Sequence, residues 1–224
     1  MMTEISLFEA IYTQRSIRKF TDEPVSEEAI AQILEAATKA PSAGNRQPWE
    51  FIVIRDPQTR QIIGDYYLKA FREYKARVLE QAKTLPAARE QVARWERRGP
   101  PDAFAESLST IPVLILVCLN REKLGVLHDD PEQPGQIPST YASIYPAVQN
   151  MLLAARGLGL GSVLTTLHCR YEQEIKALLG IPDHVQTVAL IPIGHPAVRF
   201  GPTTRIPVQQ LTHYERWGAR KEKG

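Results

Sequence analysis

Three cations within five residues, Arg15, Arg18 and Lys19, flank the hydroxyl of Ser16 near the start of the chain. A guanidinium group binds a phosphate through two parallel hydrogen bonds, and a serine hydroxyl can donate a third. A solvated, charged turn is the ordinary alternative for such a cluster. The residue types alone therefore indicate either an anion site or a surface turn.

A second segment suited to ligand binding is the loop Pro41-Ser42-Ala43-Gly44-Asn45-Arg46-Gln47-Pro48-Trp49. Ala43 and Gly44 have little or no side chain, so backbone N–H groups can approach a ligand closely. Polar side chains supply further donors and acceptors at the edges of the loop: Ser42, Asn45 and Gln47. The same composition also favours an ordinary connecting loop, so both interpretations stay open on these residues alone.

The sequence lacks the motifs for dinucleotide binding, metal binding and serine-nucleophile hydrolysis. The run Gly157-Leu158-Gly159-Leu160-Gly161 follows a predicted helix and precedes a predicted strand, which is the reverse of a dinucleotide-binding fingerprint. The five histidines have no metal-ligand spacing, and His128-Asp129-Asp130 has no further ligands nearby, so no metal site is predicted. A G-x-S-x-G nucleophile elbow is also absent from the sequence.

Composition indicates one ordinary globular domain over residues 1–224. The chain is 43% hydrophobic and 23% charged, and its net charge of +2 gives no reason to expect a nucleic-acid partner. No apolar stretch approaches the length needed to span a bilayer, and the amino terminus does not resemble a signal peptide. We therefore expect a cytoplasmic protein without a membrane partner. Both cysteines, Cys118 and Cys169, are predicted to be buried free thiols.

Hydrophobic periodicity predicts alternating helices and strands in one α/β or α+β sandwich. Predicted helices end near Thr13, begin after the N-cap Ser26, fill residues 58–98 with a break at Pro86, and cover 144–155 and 171–179. Predicted strands cover residues 49–55, 112–119, 162–167 and 187–194. The remainder, 195–224, is predicted to be an extended carboxy-terminal arm that becomes helical near 211–217.

The two polar segments together resemble one known family. R-S-x-R at residues 15–18 and P-S-A-x-N-x-Q-P-W at residues 41–49 closely resemble signature segments of the nitroreductase family of FMN enzymes. The resemblance extends from about Ile5 to Pro207 and is most specific over 15–20, 41–49, 146–166 and 203–207. It implies an α+β (α/β sandwich) fold with a central, mostly antiparallel sheet flanked by helices, and an interlocked homodimer.

The resemblance also implies FMN as the cofactor and roles for individual residues. Arg15, Ser16 and Arg205 would contact the phosphate and ribityl chain. Arg18 would lie at the pyrimidine end of the flavin ring, where reduction places negative charge that a guanidinium stabilises. Two further sets would contact the flavin, the first across the dimer interface: Pro41, Ser42, Ala43 and Asn45, and then Leu164, Thr165 and Thr166. Many relatives carry an arginine where this chain has Gln14, which leaves Arg15 and Arg205 with more of the phosphate to bind.

The implied reaction is hydride transfer from NAD(P)H through flavin N5 to a flat acceptor, such as a nitroaromatic or a quinone, in ping-pong order. The flavin carries the chemistry, so no catalytic side chain is predicted. Alternatives on the same fold are reductive dehalogenation, flavin fragmentation, a deazaflavin donor, or flavin storage without turnover. Segments 66–105 and 120–142 resemble the family least and are predicted to select the acceptor, through Phe71, Tyr74, Phe104 and Tyr141.

Overall fold

A four-stranded antiparallel sheet forms the centre of the structure. The computed structural model describes residues 5–124 and 140–220. Its strands are Trp49–Ile54 (β1), Val113–Asn120 (β2), Gly161–Ser162 (β3) and Val185–Gly194 (β4). They lie in the order β1-β2-β4-β3, and each neighbouring pair is antiparallel. The predicted antiparallel sheet is confirmed.

Seven α-helices lie within the described ranges: Leu7–Thr13 (α1), Glu27–Thr38 (α2), Pro57–Gln81 (α3), Pro86–Arg98 (α4), Ala103–Glu106 (α5), Tyr145–Gly157 (α6) and Glu172–Leu179 (α7). The predicted cap of α2 is present, since Ser26 Oγ accepts a hydrogen bond from the N–H of Ala29 at 3.1 Å. Pro86 occupies the first turn of α4, where a missing N–H costs nothing. The predicted break between α3 and α4 is therefore confirmed.

Helices cover both faces of the sheet. Alternate residues of β2 point to opposite faces, and the strand is buried on both. Val113, Ile115, Val117 and Leu119 pack in one core cluster with residues of α2 and α6. Leu114, Leu116 and Cys118 pack in a second cluster with residues of α3, α5 and α7. The result is the predicted α/β sandwich, with the sheet as its middle layer.

The third strand is shorter than predicted. Instead of 162–167, only Gly161–Ser162 pair as a strand with β4, and Thr165 forms an isolated bridge to Leu190. Leu190 exchanges both backbone hydrogen bonds with Thr165, so Pro192 faces the same neighbour and has no N–H to donate. Beyond Thr165 the chain turns into a 3₁₀ helix, Leu167–Tyr171. The prediction of a continuous strand was wrong for these two reasons.

Two further predictions are wrong: the helix near residues 211–217 and the burial of Cys169. Residues 211–217 are not helical; only a 3₁₀ helix at Val208–Gln210 precedes them, and Glu215 has a φ of 63° that an α-helix cannot contain. Cys169 is exposed because it lies in the 3₁₀ helix instead of a strand, whereas Cys118 is buried as predicted. Apart from an isolated bridge between Pro196 and Phe20, residues 195–207 of the arm form neither helix nor strand.

Residues 16–21 run along the β3 edge of the sheet. The N–H of Ile17 donates to the carbonyl of Ser162 at 3.0 Å, and the N–H of Thr21 donates to the carbonyl of His195 at 2.9 Å. The carbonyl of Lys19 accepts from the N–H of Ala197 at 3.0 Å. The sheet therefore fixes the backbone from which Arg15, Arg18 and Lys19 project.

Gly161 allows this close approach, and its replacement by alanine should destabilise the fold. A Cβ atom there would lie 2.8 Å from Cγ2 of Ile17, which is buried and cannot move aside. We expect Gly161→Ala to lower the free energy of unfolding in urea by about 1–3 kcal/mol. Gly201→Ala is the control, because a Cβ at Gly201 meets no atom within 4 Å. Equal stability of the two variants would contradict the packing described.

Candidate functional site

Arg15 and Arg205 are brought to the same corner of the molecule by the carboxy-terminal arm. The carbonyl of Tyr12 accepts from the N–H of Thr203 at 3.1 Å and from its hydroxyl at 3.3 Å. Arg205 follows this contact by two residues and Arg15 by three. Both side chains are exposed, and no carboxylate within residues 5–124 and 140–220 pairs with either. Two uncompensated guanidinium groups at one corner fit a dianionic phosphate.

Arg156 holds this corner together, although no motif in the sequence singles it out. Its Nε donates to the hydroxyl of Thr13 at 2.8 Å, and its Nη2 lies 3.4 Å from Oε1 of Glu9. Its guanidinium also lies 4.2 Å from the ring centroid of Phe200. This buried arginine on α6 therefore ties α1, which precedes Arg15, to the arm that carries Arg205.

Arg18 and Thr165, two predicted flavin contacts, meet around Tyr67 on α3. The hydroxyls of Tyr67 and Thr165 lie 2.6 Å apart and both residues are buried. The Arg18 guanidinium lies 5.8 Å from the Phe104 ring centroid, and that ring packs edge-on against Tyr67 at 6.0 Å. Burial raises the pKa of Tyr67, so its phenol stays neutral and can donate to Thr165.

Leu164 and Thr166 flank Thr165 and differ in exposure: Leu164 is half-buried and Thr166 is exposed. The backbone of Thr165 is fixed by two hydrogen bonds with Leu190, at 3.0 and 2.9 Å. Ser16 forms an isolated parallel bridge with Ser162, only three residues before Thr165. Ser16, Arg18 and the 164–166 segment therefore lie on the same edge of the sheet.

The loop 41–48 has an unusual backbone. Gly44, Asn45 and Gln47 have φ values of 57°, 54° and 49°, a region that non-glycine residues rarely enter. The N–H of Ala43 donates to Oγ of Ser143 at 3.1 Å, and the N–H of Gln47 donates to Oγ of Ser42 at 3.0 Å. Backbone strain of this kind is concentrated at ligand-binding sites, which supports the functional interpretation of the loop.

The loop and the Arg15 segment lie at diagonally opposite corners of the sheet. Trp49, which ends the loop, pairs with Leu119, and Leu119 pairs with Gln186 at the start of β4. Ser162 pairs with Ile193 at the other end of β4. The separation is about 24 Å along β4 and about 14 Å across the three strand spacings from β1 to β3. One chain therefore does not bring these two segments together around one ligand.

A cavity of about 980 Å³ opens beside Arg18. Helices α3, α4 and α5 and residues 18–22 enclose it, and its aromatic wall includes Tyr67, Phe71, Trp95 and Phe104. The structure thus places Phe71 and Phe104, both expected to contact the acceptor, in this wall. Tyr74 lies behind it, with its ring centroid 6.1 Å from Phe71 and 6.2 Å from Trp95. Trp95 was not among the predicted acceptor contacts, because it reaches the cavity only through the turn at 82–85, which folds α4 back against α3.

Tyr141 does not reach this cavity. Its hydroxyl accepts from the amide of Gln186 at 2.9 Å, at the end of the sheet where the loop 41–48 lies. Its ring centroid is 6.2 Å from that of Tyr145 on α6. Within the predicted acceptor segment 120–142, residues 125–139 and the acidic pair after His128 lie outside the described residues.

Two buried titratable groups, His168 and Cys118, are uncharged at neutral pH. Burial lowers the pKa of His168 to about 4 and raises that of Cys118 to about 12, so both are neutral at pH 7. In the described part of the chain, no group of three or more His, Cys, Asp or Glu side chains is placed to bind a metal ion. Across the same residues, no helix combines the length and apolarity that crossing a membrane requires.

Known proteins resemble this chain in sequence and fold. The sequence profile of the Nitroreductase family matches residues 11–195. A protein of Archaeoglobus fulgidus, provisionally named NADH dehydrogenase/NAD(P)H nitroreductase, is 30% identical over 188 residues, 83% of each chain. Iodotyrosine deiodinase 1 of Rattus norvegicus is 28% identical over 200 residues, 88% of this chain and 64% of that protein. A provisionally identified nitroreductase from Desulfovibrio desulfuricans, crystallised with FMN, has a TM-score of 0.67 and 29% identity, covering 96% and 99% of the two chains. The chain therefore belongs to the nitroreductase family.

Proposed function

We propose that the protein is an FMN-dependent oxidoreductase that reduces a flat acceptor, such as a nitroaromatic or a quinone, with NAD(P)H. The observation that carries the proposal is the placement of its cations along one edge of the sheet. Arg15 and Arg205 share an exposed corner, and Arg18 lies beside a cavity with aromatic walls. FMN has the matching parts, a dianionic phosphate at one end and a flat ring at the other.

Bound FMN supplies the redox chemistry, accepting a hydride from NAD(P)H and passing it to the acceptor. The protein side chains bind and orient. Arg18 stabilises the negative charge that reduction adds to the ring. Tyr67 fixes the hydroxyl of Thr165 by the hydrogen bond of 2.6 Å, and Thr165 would help to hold the flavin. The aromatic wall of the cavity limits the access of water to the flavin.

The overall reaction needs no catalytic side chain. For a nitroaromatic acceptor, one NAD(P)H and one proton reduce the nitro group to a nitroso group, giving NAD(P)⁺ and water. The nicotinamide supplies both electrons as a hydride, and the proton comes from solvent. The donor and the acceptor bind at the same face in turn, which gives ping-pong kinetics.

We also propose a homodimer in which each flavin site uses both chains. The loop 41–48 lies too far from Arg15 in its own chain, so the loop of a second copy would supply Pro41, Ser42, Ala43 and Asn45. Exposed apolar side chains on α1 and on the arm support an interface of this kind: Leu7, Phe8, Tyr12, Ile206, Val208 and Trp217. Tyr141, beside that loop, would then reach the partner's site.

The corner formed by Arg15 and Arg205, here called the phosphate corner, is tested by removing its two charges one at a time. Arg15→Gln and Arg205→Gln should each weaken FMN binding about tenfold, because each removes a charge-assisted hydrogen bond at an exposed position. Quenching of flavin fluorescence on titration measures the dissociation constant. Arg77→Gln, an exposed arginine on α3, is the control. Wild-type affinity in both variants would show that the phosphate binds elsewhere.

The activity itself is tested on the purified protein. We expect a yellow protein with a flavin spectrum that bleaches under anaerobic titration with NADH or NADPH and recovers its colour on addition of a nitroaromatic or a quinone. A protein that binds FMN and never bleaches with either donor would contradict the proposed activity and leave flavin storage as its function. A colourless protein that ignores added FMN would contradict the cofactor as well.

A second candidate reaction is reductive dehalogenation. The aromatic wall of the cavity suits a halogenated phenyl ring, and the similarity to iodotyrosine deiodinase 1 supports it. One NAD(P)H and one proton would replace the aryl–iodine bond by an aryl–hydrogen bond and release hydrogen iodide and NAD(P)⁺. Iodide release from 3-iodotyrosine under anaerobic, reducing conditions separates this candidate from nitro or quinone reduction.

A further inference from the structure

We infer that the acceptor is an aromatic compound with a negatively charged substituent, and that Lys19 and Arg94 bind this substituent. The inference rests on the proposed function, because it assigns the acceptor that enters beside the flavin. It concerns the cavity next to Arg18, whose polar side chains are unevenly divided between positive and negative charge.

The size and shape of the cavity favour an aromatic acceptor. The ring centroids of Phe71 and Trp95 lie 6.4 Å apart in its wall, and Phe104 faces the cavity from α5. Aromatic side chains of this kind pack against flat rings by offset stacking or edge contacts. A volume of about 980 Å³ is at the upper end of the range for small-molecule sites, so it has room for an acceptor beside the flavin ring.

Charge in the cavity favours an anionic substituent. Three cations and one carboxylate line it: Arg18, Lys19, Arg94 and Asp22. Arg18 is assigned to the flavin ring in the proposed function. The charges that remain for an acceptor are the two positive ones of Lys19 and Arg94 and the negative one of Asp22. Lys19 and Asp22 form no ion pair with each other or with another side chain in residues 5–124 and 140–220. A carboxylate on the acceptor would offset the excess positive charge.

Arg94 is available to an entering anion. Its Nη2 lies 3.2 Å from Oε1 of Glu90, one turn earlier on α4, and the two side chains are 52% and 71% exposed. An ion pair between side chains so exposed contributes little, because water and salt screen it. A carboxylate held against the aromatic wall can therefore replace Glu90 as the partner of Arg94.

Three acceptors of similar size and different charge test the inference on the FMN-loaded protein: 4-nitrobenzoate, 4-nitrobenzamide and 4-nitrobenzylamine. Their intrinsic reactivities differ, so the quantity compared between variants is the ratio of kcat/KM for the benzoate to that for the benzamide. Lys19→Gln and Arg94→Gln should each lower this ratio about tenfold. The ratio of kcat/KM for the benzylamine to that for the benzamide should stay constant or rise. Arg97→Gln, an exposed arginine outside the cavity lining, should keep all ratios.

A binding measurement separates failure of this inference from failure of the proposed function. Benzoate, which the enzyme cannot reduce, should bind by calorimetry about tenfold more weakly to Lys19→Gln and Arg94→Gln than to the wild type. Benzoate binding that depends on both residues without any NAD(P)H oxidation would retain the site and reject the function. Unchanged benzoate affinity and unchanged kcat/KM ratios in both variants, with normal NAD(P)H oxidation, would overturn the inference alone.

Discussion

Arg18→Leu should retain FMN and lose about 100- to 1,000-fold in the rate at which NAD(P)H bleaches the flavin. The phosphate corner, formed by Arg15 and Arg205, is unchanged in this variant, so the cofactor stays bound. The lost interaction is the one that we propose stabilises negative charge in the reduced ring. The midpoint potential should become more negative by at least about 30 mV, since 30 mV in a two-electron couple is about 1.4 kcal/mol. Anaerobic stopped-flow absorbance and a redox titration measure the two effects.

Two further variants define the cause of this loss. Arg18→Lys keeps the positive charge without the planar guanidinium, so its rate should lie between those of the leucine variant and the wild type. Arg72→Leu, an exposed arginine of α3 outside the cavity lining, should behave as the wild type. A leucine variant at position 18 that reduces at the wild-type rate, with an unchanged potential, would remove Arg18 from the flavin site.

Ala43→Phe should weaken FMN binding about 100-fold or more while the chain still folds. Ala43 is exposed in the single chain, where a larger side chain meets no core packing. If the loop contacts the flavin of a partner, the phenyl group instead overlaps the ring and must displace it. Fluorescence titration with FMN measures the affinity, and the urea midpoint of the cofactor-free protein checks the fold.

The matched control is Ala177→Phe. Ala177 is also exposed, and its helix α7 packs on the other face of the sheet. It should bind FMN as the wild type does. Because the loop lies at the far corner from Arg15 in its own chain, a large effect of the change at Ala43 has no explanation within one chain. Wild-type affinity of the Ala43 variant would show that the loop is a connection without a role at the flavin.

Local rules predicted most elements of the fold. Ser26 caps α2 and Pro86 begins α4, because capping and proline geometry depend only on nearby residues. The continuous apolar run of β2 likewise predicted a strand buried on both faces. The prediction of a strand over 162–167 failed because the missing donor belongs to Pro192 on the neighbouring strand. That pairing is a property of register, which no pattern within 162–167 contains.

The site was only partly predictable for the same reason. Arg15 and Arg18 could be singled out because their charges are close in sequence, whereas Arg205 was predicted only through the family resemblance. The structure brings it near Arg15 where the arm returns to Tyr12. Tyr67, Arg156 and Trp95 carry no local signal. Each acts through a residue at least 24 positions away, namely Thr165, Thr13 and Phe71. The diagonal separation of the loop from Arg15 also follows from strand order alone, which is known only once the sheet is seen.

The central claim is that each flavin site combines the Arg18 edge of one chain with the Ala43 loop of another, and complementation tests it most directly. Arg18→Leu and Ala43→Phe chains, each nearly inactive alone, would be mixed in equal amounts through unfolding and refolding. Random pairing gives half heterodimers, and each of these regains one intact site of two, so roughly a quarter of the wild-type NAD(P)H oxidation should return. Activity that stays at the average of the two separate variants would contradict the shared site.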